Sequence, residues 1–439
     1  MNPAFQARPR VAIAALLCAF AAAACTPAQP TEEELLAYEG TYEIAPGHRV
    51  VVGASSEQDA DVFVLDLKTL RVGALDWASA DAFADRNDKA LQYRFQRAAD
   101  GAVGDLELVQ AGATTVAKKI RPHVREAVSF QSQGRTLHGD LYLPAGPGKH
   151  PVVVFAHGSG AATRRVGPFA PYFLGLGIGV LTFDKQGAGK SEGQWQTADF
   201  DSLAADVVAG VEYAKSRPQV DATKIGILGS SQGGWIGSMA AARSPDVAFL
   251  LVRVGPGQSV RDTMLHEKRG QYLAEGITDA RALDEGVELY RRVWAIAGKG
   301  GTWEQGQQVF DEYSTRPWFK QAFGDERATK TEDAVHWWTW LGRNLDYDST
   351  DYLKTVQVPV FWALAEKDWN VDSQRSAPRI VEALRQAGNT DHTVVVLPGM
   401  GHTGLTVKTG LPNDAISWQY APGYWDGMAQ WLAQRGIAR

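Results

Sequence analysis

Four short apolar runs in the middle of the chain restrict its fold more than any other feature: PVVVFA from Pro151, IGVLTF from Ile178, KIGILG from Lys224 and FLLVRV from Phe249. They are nearly continuous rather than alternating with polar residues. Each therefore has to be buried on both faces, as strands inside a parallel sheet are. The segment DSLAADVVAGVEYAKSR lies between two of them and places Leu203, Val207, Val211 and Ala214 on one helical face. Strand and helix in alternation imply an α/β domain.

That domain is expected over residues 122–439. It opens with VREAVSF and HGDLYLP, read as a hairpin about the turn SQGR. The alternation stops after Gly257. From Ser259 to about Asp351 the text is helical and rich in Trp, Tyr and Arg, with HWWTW as its densest point. It resumes with VPVFWALAEKD, a helix-like SQRSAPRIVEALRQAG, HTVVVLPGMGH and a final helix-like YWDGMAQWLAQ. An insertion ahead of the last two strands is where a lid is expected. Trp337 and Trp340, three apart, are expected to share one face, with Trp338 turned away. Such rings either pack the insertion or line an apolar acyl pocket.

Upstream, HRVVVG, DVFVLDL, LRVGALDW, LQYRFQR and GDLELV are short strand-like runs separated by Gly, Asp and Asn. They predict a small β-rich, sheet or barrel-like domain over residues 35–121. It contains no cluster of His, Asp or Glu with catalytic spacing. It is expected to be non-catalytic, and a chain starting near Pro122 is expected to keep some activity.

The first residues look like an export signal. Arg8 and Arg10 precede the apolar run Val11–Ala24, which has the length of a signal core and is short for a bilayer span. AAAC, ending at Cys25, resembles a bacterial lipobox, with Ala22 where leucine is more usual. The expectation is a signal peptide over 1–24, lipidation of Cys25, a polar tether over 25–34 and attachment to the cell envelope. A plain secretory signal is the alternative. The chain has only two cysteines, Cys18 and Cys25, so the mature part would carry no disulfide and depend on its core. The net charge of −6 offers no basic footprint for nucleic acid.

Gly229-Ser230-Ser231-Gln232-Gly233 fits G-x-S-x-G, with KIGIL before it as a strand and GGWIGSMAAARS after it as a helix. A serine at such a sharp turn is exposed as a nucleophile. The fold then predicts an acid and a histidine later in the chain, at the carboxyl ends of strands. His402 lies just past HTVVVL on that side, whereas His392 lies at the opposite end of the same strand. Asp368 follows VFWALA at the same edge. Glu366 is nearer the strand, and Asp372 reads as a helix cap.

From about Arg125 onward the chain resembles the α/β-hydrolase superfamily, near its prolyl oligopeptidase-like and dienelactone hydrolase-like branches. FAHGSG is similar to the H-G-x-G turn that supplies oxyanion amides. FDKQGAGKSEG is similar to the D-x-x-G-x-G-x-S stretch after the fourth strand, LAEKDWNV to the strand end bearing the acid, and PGMGH to the turn bearing the histidine. The resemblance implies a Ser231–Asp368–His402 triad, with the oxyanion held by the N–H groups of Gln232 and Ser159, and a structural role for His157. GAGKS does not complete a phosphate loop, because Asp184 stands where that motif needs glycine. No metal-binding motif is present, and no cofactor is expected.

The expected activity is hydrolysis of a small-molecule carboxylic ester through an acyl-enzyme. A serine peptidase or aminopeptidase and a thioesterase or acyltransferase use the same triad. A catalytically silent binding lipoprotein is the reading from another class. An aminopeptidase needs an acidic pair for the substrate amine, for which Glu267, Glu275 and Asp279 are candidates.

Overall fold

Some strands of the N-terminal part alternate strictly, while others, such as HRVVVGA, do not. The computed structural model, which describes residues 30–54, 62–324, 329–414 and 417–438, shows why. Strands β1 (Gly40–Ala45), β2 (His48–Ala54), β3 (Val62–Asp66), β4 (Val72–Ser79), β5 (Ala82–Asp85), β6 (Leu91–Arg97), β7 (Val103–Gln110) and β8 (Ala113–Ile120) form a closed antiparallel barrel. Pairing of Thr41 with Ile120 closes it. Val50 and Val52 point into the barrel core with Tyr42, Val64, Tyr93 and Phe95. Val51, between them, points outward and is fully buried with Leu65 and Val72 against the α/β domain. The period-2 geometry of a strand sends neighbours to opposite faces. An uninterrupted valine run is what a strand covered on both sides requires.

The expected signal, Cys25 and the first part of the tether lie outside the described residues. The end of the tether is a correction to the sequence reading. Residues Glu32–Leu36 form helix α1, closed by a capping box in which the Thr31 and Glu34 side chains each bond the other's backbone N–H. Leu35 and Leu36 are buried, so the last residues of the expected linker belong to a packed helix.

The second sheet holds β9 (His123–Ser132), β10 (Arg135–Pro144), β11 (His150–Ala156), β12 (Gly179–Phe183), β13 (Val220–Ser230), β14 (Phe249–Arg253), β15 (Val360–Ala365) and β16 (His392–Leu397). Their order is β16-β15-β14-β13-β11-β12-β10-β9. β9 and β10 form the expected hairpin; Gln133 and Gly134 both take positive φ at its turn, as a two-residue connection matching strand twist does. β11 to β16 run parallel to one another.

Helices cover both faces. Val152, Val154, Ile225 and Ile227 share one core with α3 (Phe200–Lys215) and α4 (Gly233–Arg243). Val153, Phe155, Leu228 and Phe249 share another with α2 (Phe169–Gly175) and the barrel. Between β14 and β15 the chain builds α5 (Val260–Ala274), α6 (Ala280–Gly298), α7 (Trp303–Tyr313), α8 (Pro317–Phe323), α9 (Glu332–Asn344) and α10 (Ser349–Leu353). This is the expected helical insertion. α11 (Ser373–Gln386) and α12 (Trp425–Gln434) complete the domain, and Asp372 caps α11 by accepting from the Arg375 N–H.

The tryptophans of α9 divide as their spacing predicts. Trp337 and Trp340 stack at 4.9 Å and 7°, and Trp340 meets Phe200 of α3 edge-on. Trp338 faces the other way, against Trp303, and donates its Nε1–H to Gly301 O at 2.9 Å. Among the described residues the ring contacts of all three lie within the insertion and with α3, which favours packing over a substrate wall.

Backbone hydrogen bonds fasten the barrel to the α/β domain. Gly167 N–H donates to Ala54 O at 2.8 Å, and a Cβ at Gly53 would lie 2.1 Å from Gly167 O, so only glycine allows this approach of two backbones. On the other side Val72 N–H donates to Trp418 O and Tyr420 N–H to Leu70 O, both at 2.8 Å.

Candidate active site

Ser231 sits between the end of β13 and the start of α4 with φ +53°. This left-handed backbone is costly for a residue with a Cβ, and such strain persists only where the surroundings over-determine it. The surroundings here are close backbones. A Cβ at Gly229 would lie 2.3 Å from Gly233 O, and one at Gly233 would lie 2.0 Å from Ala156 O. Both glycines of the motif are thus sterically required. The turn is held further by Ser231 N–H donating to Arg253 O at 3.0 Å.

The three expected side chains come together in one hydrogen-bonded chain. Ser231 Oγ lies 2.9 Å from His402 Nε2. His402 Nδ1 lies 2.9 Å and 3.0 Å from the two carboxylate oxygens of Asp368. An acceptor carboxylate at Nδ1 sets the tautomer: Nδ1–H donates to Asp368, and Nε2 accepts from the serine hydroxyl. Asp368 is buried and also accepts from the N–H groups of Asn370 and Val371, which aim its carboxylate. Glu366, the nearer alternative, instead accepts from Gly399 N–H and braces the turn before the histidine. His392 opens β16 at the far end.

The His402 loop is fastened from several sides. Bridges pair Met400 with Thr406 and Leu405 with Tyr420. Arg253 donates from Nη2 to His402 O at 3.3 Å and from Nη1 to Ser230 Oγ at 2.6 Å. It also bonds the Tyr424 hydroxyl and lies over the Phe169 and Tyr424 rings. Arg253 therefore ties the serine turn to the histidine loop. The sequence reading missed it, although a lone cation ending the apolar run FLLVR was a signal.

The turn His157–Gly160 lies against the serine, since a Cβ at Gly158 would be 3.7 Å from Ser231 Cβ. Ser159 is exposed at its tip. Among the described residues the backbone N–H groups of Ser159 and Gln232 have no acceptor, leaving two donors beside Ser231. Gln232 is the residue before α4, where unpaired amides and the helix dipole favour negative charge. His157 is buried below the turn and donates Nε2–H to Phe183 O at 2.6 Å. Burial first, then the nearby Lys185 charge, push its pKa down to about 4, so it is a neutral strut. Asp184 accepts from Arg164 and from Lys190 N–H and organises the loop that resembled a phosphate site.

A mostly parallel sheet with a serine on a strained strand–helix turn at the carboxyl end of a central strand defines an α/β hydrolase. Residues 148–406, more than half of the chain, match the family Hydrolase_4, described as "Serine aminopeptidase, S33", and the chain belongs to that family. Similarity to individual proteins agrees with this. The chain is 32% identical over 288 residues to the bifunctional esterase/perhydrolase DCH of Acinetobacter calcoaceticus, covering 62% of this chain and 92% of that protein. It is 27% identical over 286 residues to a non-heme chloroperoxidase of Streptomyces lividans, with the same coverage. It is 37% identical over 109 residues to the quorum-quenching protein AidA of Acinetobacter baumannii, covering 24% of this chain and 36% of that protein. The chain thus spans only about a third to a half of the length of several curated relatives it matches.

Proposed function

We propose that the protein is a serine esterase acting on small carboxylic esters through Ser231, His402 and Asp368. The observation that carries this is the continuous hydrogen-bonded chain from the strained Ser231 hydroxyl through the His402 ring to the buried Asp368 carboxylate. As Ser231 Oγ attacks the ester carbonyl carbon, its proton passes to His402 Nε2. Asp368 holds the ring and stabilises the imidazolium. The carbonyl oxygen becomes an oxyanion and takes the N–H groups of Gln232 and Ser159. Collapse breaks the bond to the leaving alcohol, which receives the proton from His402. Water then gives a proton to His402 and attacks the acyl carbon; collapse breaks the bond to Ser231 Oγ, which regains the proton from His402 as the carboxylic acid leaves.

Esters are favoured over aminoacyl substrates because two of the three candidate acidic anchors are engaged elsewhere and the third lies exposed at a helix end. Asp279 caps α6 through the Ala282 N–H, Glu267 accepts from Gln271 within α5, and Glu275 is an exposed helix end. The name of the DCH relative, an esterase, points the same way. The insertion is proposed to cover the acyl group: His266 of α5 donates to Asp368 O at 3.0 Å, so the insertion touches the acid loop. A paired assay tests the reading. p-Nitrophenyl acyl esters are expected to turn over and aminoacyl p-nitroanilides to be left intact; the reverse preference would make the protein a peptidase.

We also propose that the protein is exported and anchored by a lipid on Cys25, on the strength of the lipobox-like AAAC. One acyl chain holds a protein only marginally, whereas several hold it stably, at about 0.8 kcal/mol per buried CH₂. Cys25→Ser is expected to leave the protein soluble after export or as unprocessed precursor. An unchanged membrane fraction for that variant, together with no lipid mass on the wild type, would remove the anchor.

A further inference from the structure

The site contains a buried cation that the three hydrogen-bonded side chains do not account for. Lys185 follows Asp184 just beyond β12 and is 5% exposed. An ammonium group buried in this way needs strong acceptors, because losing its water is costly. Its backbone is pinned first: Lys185 N–H donates to Ala162 O at 3.0 Å, and Lys185 O accepts from Ala188 N–H at 2.8 Å. Its Nζ then donates to Gly158 O and to Gln232 Oε1, the latter at 3.0 Å.

These two acceptors are informative. Gly158 O and Ser159 N–H are the two ends of one peptide group. Resonance couples them, so drawing electron density toward the carbonyl oxygen leaves the N–H a stronger donor. Gln232 carries the other unpaired N–H beside Ser231. One ammonium therefore grips both segments that present the oxyanion donors. It lies behind those donors, so a developing negative charge meets it without displacing it. The adjacent Asp184 carboxylate is taken up by Arg164 and Lys190 N–H, and the His157 ring below the turn is neutral.

We propose that Lys185 is a positioning residue for the oxyanion hole: its ammonium fixes the Gly158–Ser159 peptide and the Gln232 side chain and strengthens the donation of both N–H groups to the transition state. This rests on the esterase reading above. Its effect should fall on transition-state stabilisation rather than on substrate binding.

The test compares Lys185→Met and Lys185→Gln, which remove the charge, with Lys185→Arg, which keeps it. Three quantities are read: kcat and KM for p-nitrophenyl acetate, the inhibition constant of an alkyl trifluoromethyl ketone, and the melting temperature. The ketone forms a hemiketal oxyanion with the serine. Removing a direct oxyanion donor typically lowers kcat by roughly 10²–10³-fold, and an indirect effect should be smaller. Lys185→Met is expected to lose about 10–10²-fold in kcat with KM within a few-fold, and ketone affinity should fall by the same factor as kcat/KM. Lys185→Arg is expected to recover part of the loss. Wild-type kcat in a folded neutral variant overturns the proposal. So does a fall in kcat with unchanged ketone affinity, or failure of both neutral variants to fold, which would make the role purely structural. The esterase reading fails separately, if wild-type protein does not hydrolyse the ester or Ser231→Ala still does.

Discussion

Ser231→Ala is expected to lower turnover of p-nitrophenyl acetate by about 10⁴–10⁶-fold while leaving the melting temperature nearly unchanged. Only the Oγ is removed, and the positive-φ turn is held by the close packing at Gly229 and Gly233. His402→Ala is expected to cost a similar factor, and the double variant little more than either alone, because the hydroxyl is activated only as part of the chain. A fluorophosphonate adduct should map to Ser231. Its neighbour Ser230 already accepts a bond from Arg253 at 2.6 Å, and Ser159 faces solvent at the tip of its turn. An adduct on Ser230 or Ser159, or a Ser231→Ala variant keeping more than a small fraction of the rate, would remove the assignment.

Deleting residues 30–121 is expected to abolish both cooperative melting and ester turnover. This revises the expectation from sequence that a chain starting near Pro122 keeps some activity. The barrel contributes no side chain to the Ser231–His402–Asp368 chain, yet it borders two loops of the site. Ala54 and Gly53 meet Gly167, a few residues beyond the His157–Gly160 turn. Leu70 and Val72 hold Trp418 and Tyr420, and Tyr420 in turn pairs with Leu405 beside His402. Phe169, Phe173 and Leu174 of α2 share one core with Val51, Leu65 and Val72. Re-exposing a large apolar side chain costs about 1.5–3 kcal/mol, so uncovering several would consume much of a typical stability of about 5–15 kcal/mol. Calorimetry and fluorophosphonate labelling of the truncated chain decide this. A soluble, cooperatively melting fragment that hydrolyses esters at the full rate would show that the barrel is dispensable.

Much of this protein could be read in advance, for identifiable reasons. The unbroken runs at Val152, Val180, Ile225 and Leu250 are strands because nothing but burial on both faces accommodates them. Gly229-Ser230-Ser231-Gln232-Gly233 could be placed because a strand must precede that motif and a helix follow it. Asp368 and His402 could be chosen because parallel strands present their carboxyl ends on one side, which excluded His392. In each case a local pattern with a fixed period or a fixed offset carries the information.

Where the sequence was silent, the deciding contacts join segments far apart in the chain. Nothing in HRVVVGA says that Val51 is covered by α2, about 120 residues later. Nothing in FDKQGAGKSEG says that the Lys185 ammonium reaches both Gly158 O and Gln232 Oε1. Nothing in FLLVRVG says that Arg253 joins Ser230 to the His402 carbonyl. A strand's periodicity records that a side chain is buried, not what buries it, and a cation's partners depend on three-dimensional proximity that no spacing encodes. The chain alone carried the α/β class, the succession of strands along it, and Ser231, Asp368 and His402 as the candidates for nucleophile, acid and base. Folding set the distances between those three side chains, the barrel's hold on the loops around them and the place of the Lys185 ammonium against Gly158 O and Gln232 Oε1, because each is a contact between residues far apart along the chain.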